Sequence, residues 1–245
     1  MKILICCALK QEALPLAKVF NLKPVHTHAH IFKGIYGGHE FKLILTGPGK
    51  DNVRAAFPEI FELPLPDAVI SYGFAGALSS SLQKGDVLIA NRVMRMDDGK
   101  THVFQIPLKN DPTLFQKVPF SIHAGTLLSM SNLVSTTEEK KSLGRRFDAL
   151  AVDMESGYLC DEVLKRKLIF FAMRGITDTW NENIPAVTQY WTGPNGKMLK
   201  QRMIQDIFKT PRMIPSLIRL GFTIQRASRH LIQFFISALN QGMIQ

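Results

Sequence analysis

Three carboxylates stand just past apolar runs that read as buried strands. Glu12 follows "KILICCAL", Glu155 follows "LAVD" and Asp178 follows "FFAMRGI". In α/β sheets, ligands bind beyond the carboxyl ends of strands. Two glycine-bearing stretches belong to the same edge: Gly47, Gly49 and Lys50 in one, Gly73, Phe74, Ala75 and Gly76 in the other. Acids gathered on one rim could give protons to, or take them from, a ligand bound there. Taken singly, each has a plainer reading. A Glu near a helix start balances the helix dipole, and an Asp after a strand caps or turns it. The Gly-x-Gly stretch lacks the Lys-Ser/Thr spacing of a Walker loop. Their joint position is what points to chemistry.

The elements that must hold these residues alternate. Residues 2–9 read as a buried strand and 10–20 as a short helix. Strands follow near 29–35 and 41–46, around the turn signal Gly37-Gly38. "TGPGKDNVRAAFPEIF" reads as a glycine turn entering a helix. "DAVISYGFAGAL" reads as a buried strand ending in a glycine-containing loop, and "GDVLIANRV" as the next strand. Weaker strand-like runs occupy 100–136. "STTEEKKSL" opens a helix, with Ser or Thr as cap and glutamates in its first turn. A helix over 155–165 and a strand over 168–175 come next. The alternation predicts a layered α/β sheet.

The 245 residues are 46% hydrophobic and 20% charged, ordinary for a globular enzyme-sized chain. Net charge is +10, and most of the excess falls after Gly196, where eight basic residues meet one acid, Asp206. That basic stretch fits either an anionic partner or a solvated face. From Phe222 onward, Leu231, Phe234, Phe235, Ala238 and Leu239 recur at helical spacing, with Arg226, Arg229, Gln233 and Ser237 on another side. This amphipathic helix packs on the core, on a second subunit, or on a lipid surface. The reading divides the chain into a catalytic domain over 1–195 and a basic helical extension over 196–245. Cys6, Cys7 and Cys160 suggest neither a disulfide framework nor a metal site, and fit buried thiols in a reducing cytoplasm. The opening run is too short for a signal peptide. No stretch is long and apolar enough for a membrane span. Nucleic acid is disfavoured, because aromatics do not interleave with the basic residues.

Five segments, in order, resemble the nucleoside phosphorylase/nucleosidase superfamily: "CALKQEA", "GPGKDNVRAA", "GFAGALSSSLQKGDVLIA", "VDMES" and "RGITD". They are similar to its methylthioadenosine/S-adenosylhomocysteine nucleosidase branch. "AVDMES", "VSTTEEKKSL", "SYGFAGAL" and "KTPRMIPSLIRLG" are similar, more narrowly, to the hopanoid-biosynthesis-associated purine phosphorylases, which act on adenosylhopane. The resemblance implies a three-layer α/β/α fold with a central mixed, partly barrel-like sheet, and a homo-oligomer. It implies cleavage of the N-glycosidic bond of a 5′-substituted adenosine with release of adenine, adenosylhopane being the preferred substrate and methylthioadenosine or S-adenosylhomocysteine the alternative. Asp178 would protonate the purine and Glu12 would polarise the attacking water. Glu155 would hold the ribose hydroxyls, Met154 the ribose face, and Gly73, Phe74, Ala75 and Val152 the rest of the substrate. No cofactor is implied. If inorganic phosphate replaces water, Gly49, Lys50, Arg54 and Ser71 are the candidates to bind it; the missing phosphorylase arginines favour water. Phe74 stands where methylthioadenosine nucleosidases carry Ser, which weakens a small-substrate assignment. A non-catalytic nucleoside- or lipid-binding protein is the alternative of another class, and retention of Glu12, Glu155 and Asp178 argues against it.

Overall fold

The structure, a computed structural model, describes residues 1–26, 28–97, 99–108, 118–185 and 199–244. The chain opens with β1 (Lys2–Cys7), α1 (Lys10–Val19), the short β2 (Lys23–Val25), β3 (His28–Tyr36) and β4 (His39–Leu45). Next come α2 (Lys50–Ala55), α3 (Phe57–Ile60), β5 (Ala68–Ala77), β6 (Val87–Asp97), β7 (Lys100–Gln105) and β8 (Ile122–Ser129). The remainder is α4 (Thr137–Phe147), β9 (Ala151–Asp153), α5 (Ser156–Lys165), β10 (Ile169–Asp178), α6 (Lys200–Lys209) and α7 (Ile214–Asn240).

Strands β10, β6, β8, β9 and β5 pair in that order, and β10 pairs back onto β5, so these five close a ring. From β5 the sheet continues outward through β1, β4, β3 and β2, while β7 folds onto β6. Strands β4, β1, β5 and β10 run parallel, so their carboxyl ends open on one rim. Short β9 runs back along the end of β5 and pairs Val152 with Gly76. The β3–β4 hairpin turns at Gly37 and Gly38, with φ of 55° and 78°. Positive φ at both central residues matches the right-handed twist of the flanking strands, and glycine adopts it without a Cβ penalty.

Side chains alternate across the sheet with period two. Ile3, Ile5 and Cys7 of β1 face a core shared with α1 and α7, while Leu4 and Cys6 face a core shared with α2 and α5. Covering both faces produces the expected three layers, and it explains why β1 reads as a continuous apolar run. The cysteines are free and buried. Burial pushes the Cys6 thiol up to about 12, so it serves as an apolar residue.

Two elements differ from their sequence expectation. The helix after Lys50 breaks into α2 and α3 at Ala56, because Pro58 sits at the start of the second piece. The glycine stretch after Tyr72 is not a loop: β5 stays extended to Ala77. Gly73 and Gly76 are there for room, as the site below shows. The predicted helix start at "STTEEKK" holds: Thr136 caps α4, its hydroxyl accepting from Glu139 N at 3.3 Å.

Of the three partners open to the C-terminal helix, its second half takes the core. Leu231, Phe234, Phe235, Ala238 and Leu239 are buried in the same core as β1, β4 and β5, so Phe234 and Phe235 cannot enter a lipid surface. Phe235 stacks near Phe20 at 5.4 Å and meets Tyr72 at 5.8 Å between ring centroids. The first half of α7 is different. Ile214, Ile218 and Phe222 are exposed there, as is Phe208 of α6. The boundary drawn between residues 195 and 196 lies outside the described residues. No helix among the described residues is long and apolar enough to cross a membrane.

Phe235→Ala should destabilise the chain by about 3–5 kcal/mol, the usual loss for an aromatic core truncation. Urea unfolding measures it. A loss below about 1 kcal/mol would mean that α7 does not complete this core.

Candidate active site

Glu12, Glu155 and Asp178 line one cleft of about 410 Å³. Pro48, Phe74, Ala75, Gly76, Val152, Met154 and Thr177 share its wall, and Leu133, Val134, Ile184, Leu220 and Ile224 make an apolar rim. Of the predicted substrate residues, Phe74, Ala75, Val152 and Met154 therefore reach the cleft. Gly73 lies just beneath it, against Glu12.

Glu12 sits in the first turn of α1, immediately after β1. Its Oε2 accepts from Ala8 N and Leu9 N, each at 2.8 Å, and its Oε1 accepts from Phe74 N at 2.9 Å. The loop backbone thus fixes the carboxylate from three directions. Burial raises its pKa, while Arg174 and the three N–H donors pull it back down. A Cβ on Gly73 would lie 2.4 Å from Glu12 Oε1, so no other residue fits there with the acid in place.

Asp178 ends β10. A register shift between Ile176 and Asp178 brings it opposite Gly76 of β5. Such bulges re-aim a side chain at the end of a strand. A Cβ on Gly76 would fall 2.7 Å from Asp178 Oδ2. The carboxyl is buried among Thr177, whose Oγ1 donates at 2.9 Å, and Lys140, whose Nζ donates at 2.5 Å. Burial raises the Asp178 pKa, opposed by the Lys140 charge. An aspartate whose pKa is raised in this way is suited to act as a general acid.

Glu155 follows β9 and stands at the N-cap position of α5. Its Oε1 accepts from Gly49 N at 2.7 Å and its Oε2 from Met154 N at 3.3 Å. Gly49 adopts φ of 84°, and this lets the loop after β4 present its N–H to the acid. Burial and the neighbouring Asp153 push the Glu155 carboxyl up to about 8.

A buried polar cluster underlies the cleft. Arg174 Nε and Nη2 both donate to Asp153 Oδ2, at 3.0 and 2.7 Å. Nη2 also reaches Ser71 Oγ and Ser156 Oγ, and Nη1 donates to Ser71 O. Asp153 in turn accepts from Ser129 Oγ and from Ser156 N at the start of α5. The sequence reading missed Arg174, Asp153 and Lys140. A charged residue inside "IFFAMRGITD" was a legible signal for Arg174, whereas Lys140 lies in a charged run that looks solvated.

The residues considered for phosphate do not gather. Lys50 Nζ lies 3.3 Å from Asp97 and Arg54 lies 3.8 Å from it, and neither lines the cleft. Ser71 is buried beneath it, and the Gly49 N–H is taken by Glu155.

Two outcomes follow from this geometry. Glu155 is protonated in the folded chain over a range where the unfolded chain ionises it. Its contribution to stability is whole below about pH 4.5 and is lost as pH rises toward about 8. Glu155→Gln should therefore melt a few degrees above wild type at pH 8, with the gap closing at pH 5. Equal gaps at both values in calorimetry would contradict the buried neutral acid. Gly76→Ala should lower turnover on the order of 100-fold by displacing Asp178. Unchanged turnover would remove Asp178 from the reacting atoms.

Residues 2–193 match the family model described as the phosphorylase superfamily. The chain is similar to the 5′-methylthioadenosine/S-adenosylhomocysteine nucleosidase of Staphylococcus epidermidis, 27% identical over 193 residues, covering 71% of this chain and 85% of that one. It is 30% identical over 203 residues to the enzyme of the same name from Buchnera aphidicola, covering 75% of this chain and 87% of that one. Its fold is similar to an MTAN mutant of Helicobacter pylori solved with 5′-methylthioadenosine in the active site, at 16% identity, TM-score 0.72 and 98% coverage of both chains. The futalosine hydrolase of Helicobacter pylori is alike in fold to the same degree, at 17% identity, TM-score 0.72 and 98% coverage of both chains. With the closed ring, the cleft and its acids already in view, the family match is decisive: the chain belongs to the phosphorylase superfamily and is an enzyme of its purine nucleosidase type.

Proposed function

We propose that this enzyme hydrolyses the N-glycosidic bond of a 5′-substituted adenosine and releases adenine. The substrates named for its relatives, 5′-methylthioadenosine and S-adenosylhomocysteine, are the best-supported class. The observation that carries the reading is the convergence of Glu12, Glu155 and Asp178 on a single apolar-walled cleft.

In this reading the bond between C1′ and the purine N9 breaks and its electron pair moves onto the base. Asp178 gives its proton to N7 as that charge develops. Glu155 accepts hydrogen bonds from the ribose 2′- and 3′-hydroxyls. The cation growing on the sugar draws its carboxyl toward the ionised form. Met154 packs on the ribose face. A water attacks C1′ and passes its proton to Glu12. Water is favoured over phosphate because Lys50 and Arg54 meet Asp97 and neither lines the cleft.

A second reading concerns the 5′ substituent. Leu220 and Ile224 of α7 line the rim together with Ile184 and Leu133. Ile218 and Phe222 are exposed on another side of the same helix, next to the exposed Arg219. The apolar rim suits a lipid-linked adenosine, adenosylhopane being the one the sequence suggests, and the exposed apolar and basic side of α7 suits contact with an anionic membrane.

Adenine release should be followed with 5′-methylthioadenosine, S-adenosylhomocysteine and vesicle-borne adenosylhopane, each with and without phosphate. Release without phosphate is expected. Strict dependence on phosphate would replace hydrolysis by phosphorolysis, and turnover of adenosylhopane alone would promote the second reading. Asp178→Asn should lower kcat by about 10²–10⁴-fold, the range of general-acid contributions.

A further inference from the structure

Lys140 projects from the first turn of α4, and its side chain is 0% exposed. Its ammonium donates to Asp178 Oδ2 at 2.5 Å, Glu182 O at 2.7 Å and Thr179 O at 3.1 Å. Three N–H groups meet three acceptors, so the charge is fully bonded where no water reaches it. The surrounding backbone closes the same clasp. Thr137 N donates to Asn183 Oδ1 at 2.8 Å, and Ile184 N donates to Ser135 O at 2.9 Å. The start of α4 is thereby tied to the segment leaving β10, with Lys140 at the centre of the tie and Asp178 at its inner end.

Lysine is an odd choice for a purely structural bridge here. A buried charge is stable only when paired and bonded, and an apolar residue of similar volume often does as well. What lysine adds is a fixed positive charge against the acid. Among the described residues, the other charges about Asp178 are few. Glu182 is paired with Lys84 at 2.6 Å, Glu12 and Glu155 stand elsewhere in the cleft, and β5 presents only Gly76.

We infer that Lys140 is a positioning residue for the general acid: its bonded ammonium aims Asp178 into the cleft and fixes a positive charge beside its carboxyl. The inference rests on the nucleosidase reading. A carboxyl among apolar groups keeps its proton tightly, and one kept too tightly is a poor donor. The adjacent ammonium moderates that hold. Proton transfer from Asp178 to the base then leaves an ion pair with Lys140 in place of an isolated buried anion.

The test compares wild type, K140M, K140Q, D178N and the K140M/D178N double variant, using adenine release from 5′-methylthioadenosine. In K140M, kcat should fall by about tenfold or more, within the general-acid range, with KM changed less than about threefold. The alkaline limb of the kcat/KM profile should move upward by about one pH unit or more, because Asp178 now holds its proton longer. In the D178N background, K140M should cost less than about twofold further, since partners acting as a unit are non-additive. A merely structural lysine would lower the melting temperature and activity without moving the limb. K140Q keeps donors for the two carbonyls and repeats the pH test should K140M fail to fold. An unmoved limb in a folded variant overturns the inference, as does an equal loss in both backgrounds. Failure of both replacements to fold also overturns it, making Lys140 a folding determinant. Wild type that releases no adenine from any adenosine tested overturns the nucleosidase reading itself, and this inference with it.

Discussion

The buried pair of Arg174 and Asp153 is the contact on which both architecture and cleft depend. Arg174 comes from β10 and Asp153 from β9, and their partners Ser71, Ser129 and Ser156 come from β5, β8 and α5. These are the elements that meet where the ring closes. Removing one partner from a buried pair strands the other charge, typically at about 3–5 kcal/mol. The ring is thus fastened there by polar bonds. The same guanidinium lies below Glu12 and Glu155 and favours their ionised forms against the burial that opposes them. One residue both closes the sheet and sets the field in which the acids titrate.

The C-terminal helix joins two functions along its length. Its second half completes the core through Leu231, Phe234 and Phe235, and its first half carries Leu220 and Ile224 to the rim. An α-helix rises about 1.5 Å per residue, so the rim residues stand roughly 15 Å from the buried anchor. The reach of this one element lets a basic extension, unremarkable in composition, shape the wall of the cleft.

Most of the fold was legible because burial on both faces leaves continuous apolar runs, as in "KILICC" and "DAVISY". The acids were legible because each follows such a run in a short, recognisable segment. Three things were not. The extended path of β5 was hidden because Gly73 and Gly76 look like turn residues until the acids that press on them are known. The partnership of Lys140 was hidden because "EEKK" on a helix resembles a solvated face, and only tertiary packing shows which lysine turns inward. The destination of Phe234 and Phe235 was hidden because an amphipathic stripe states that something covers it and not what. In each case the deciding contact lies far along the chain, beyond the reach of local pattern.

The fit of Gly73 to Glu12 and of Gly76 to Asp178 has a consequence for descent. A β-carbon at either glycine and the carboxylate beside it compete for the same few ångströms. Each glycine and its acid must therefore be inherited as a couple. A lineage that shortens the acid frees the glycine to drift, whereas one that first alters the glycine must move the acid.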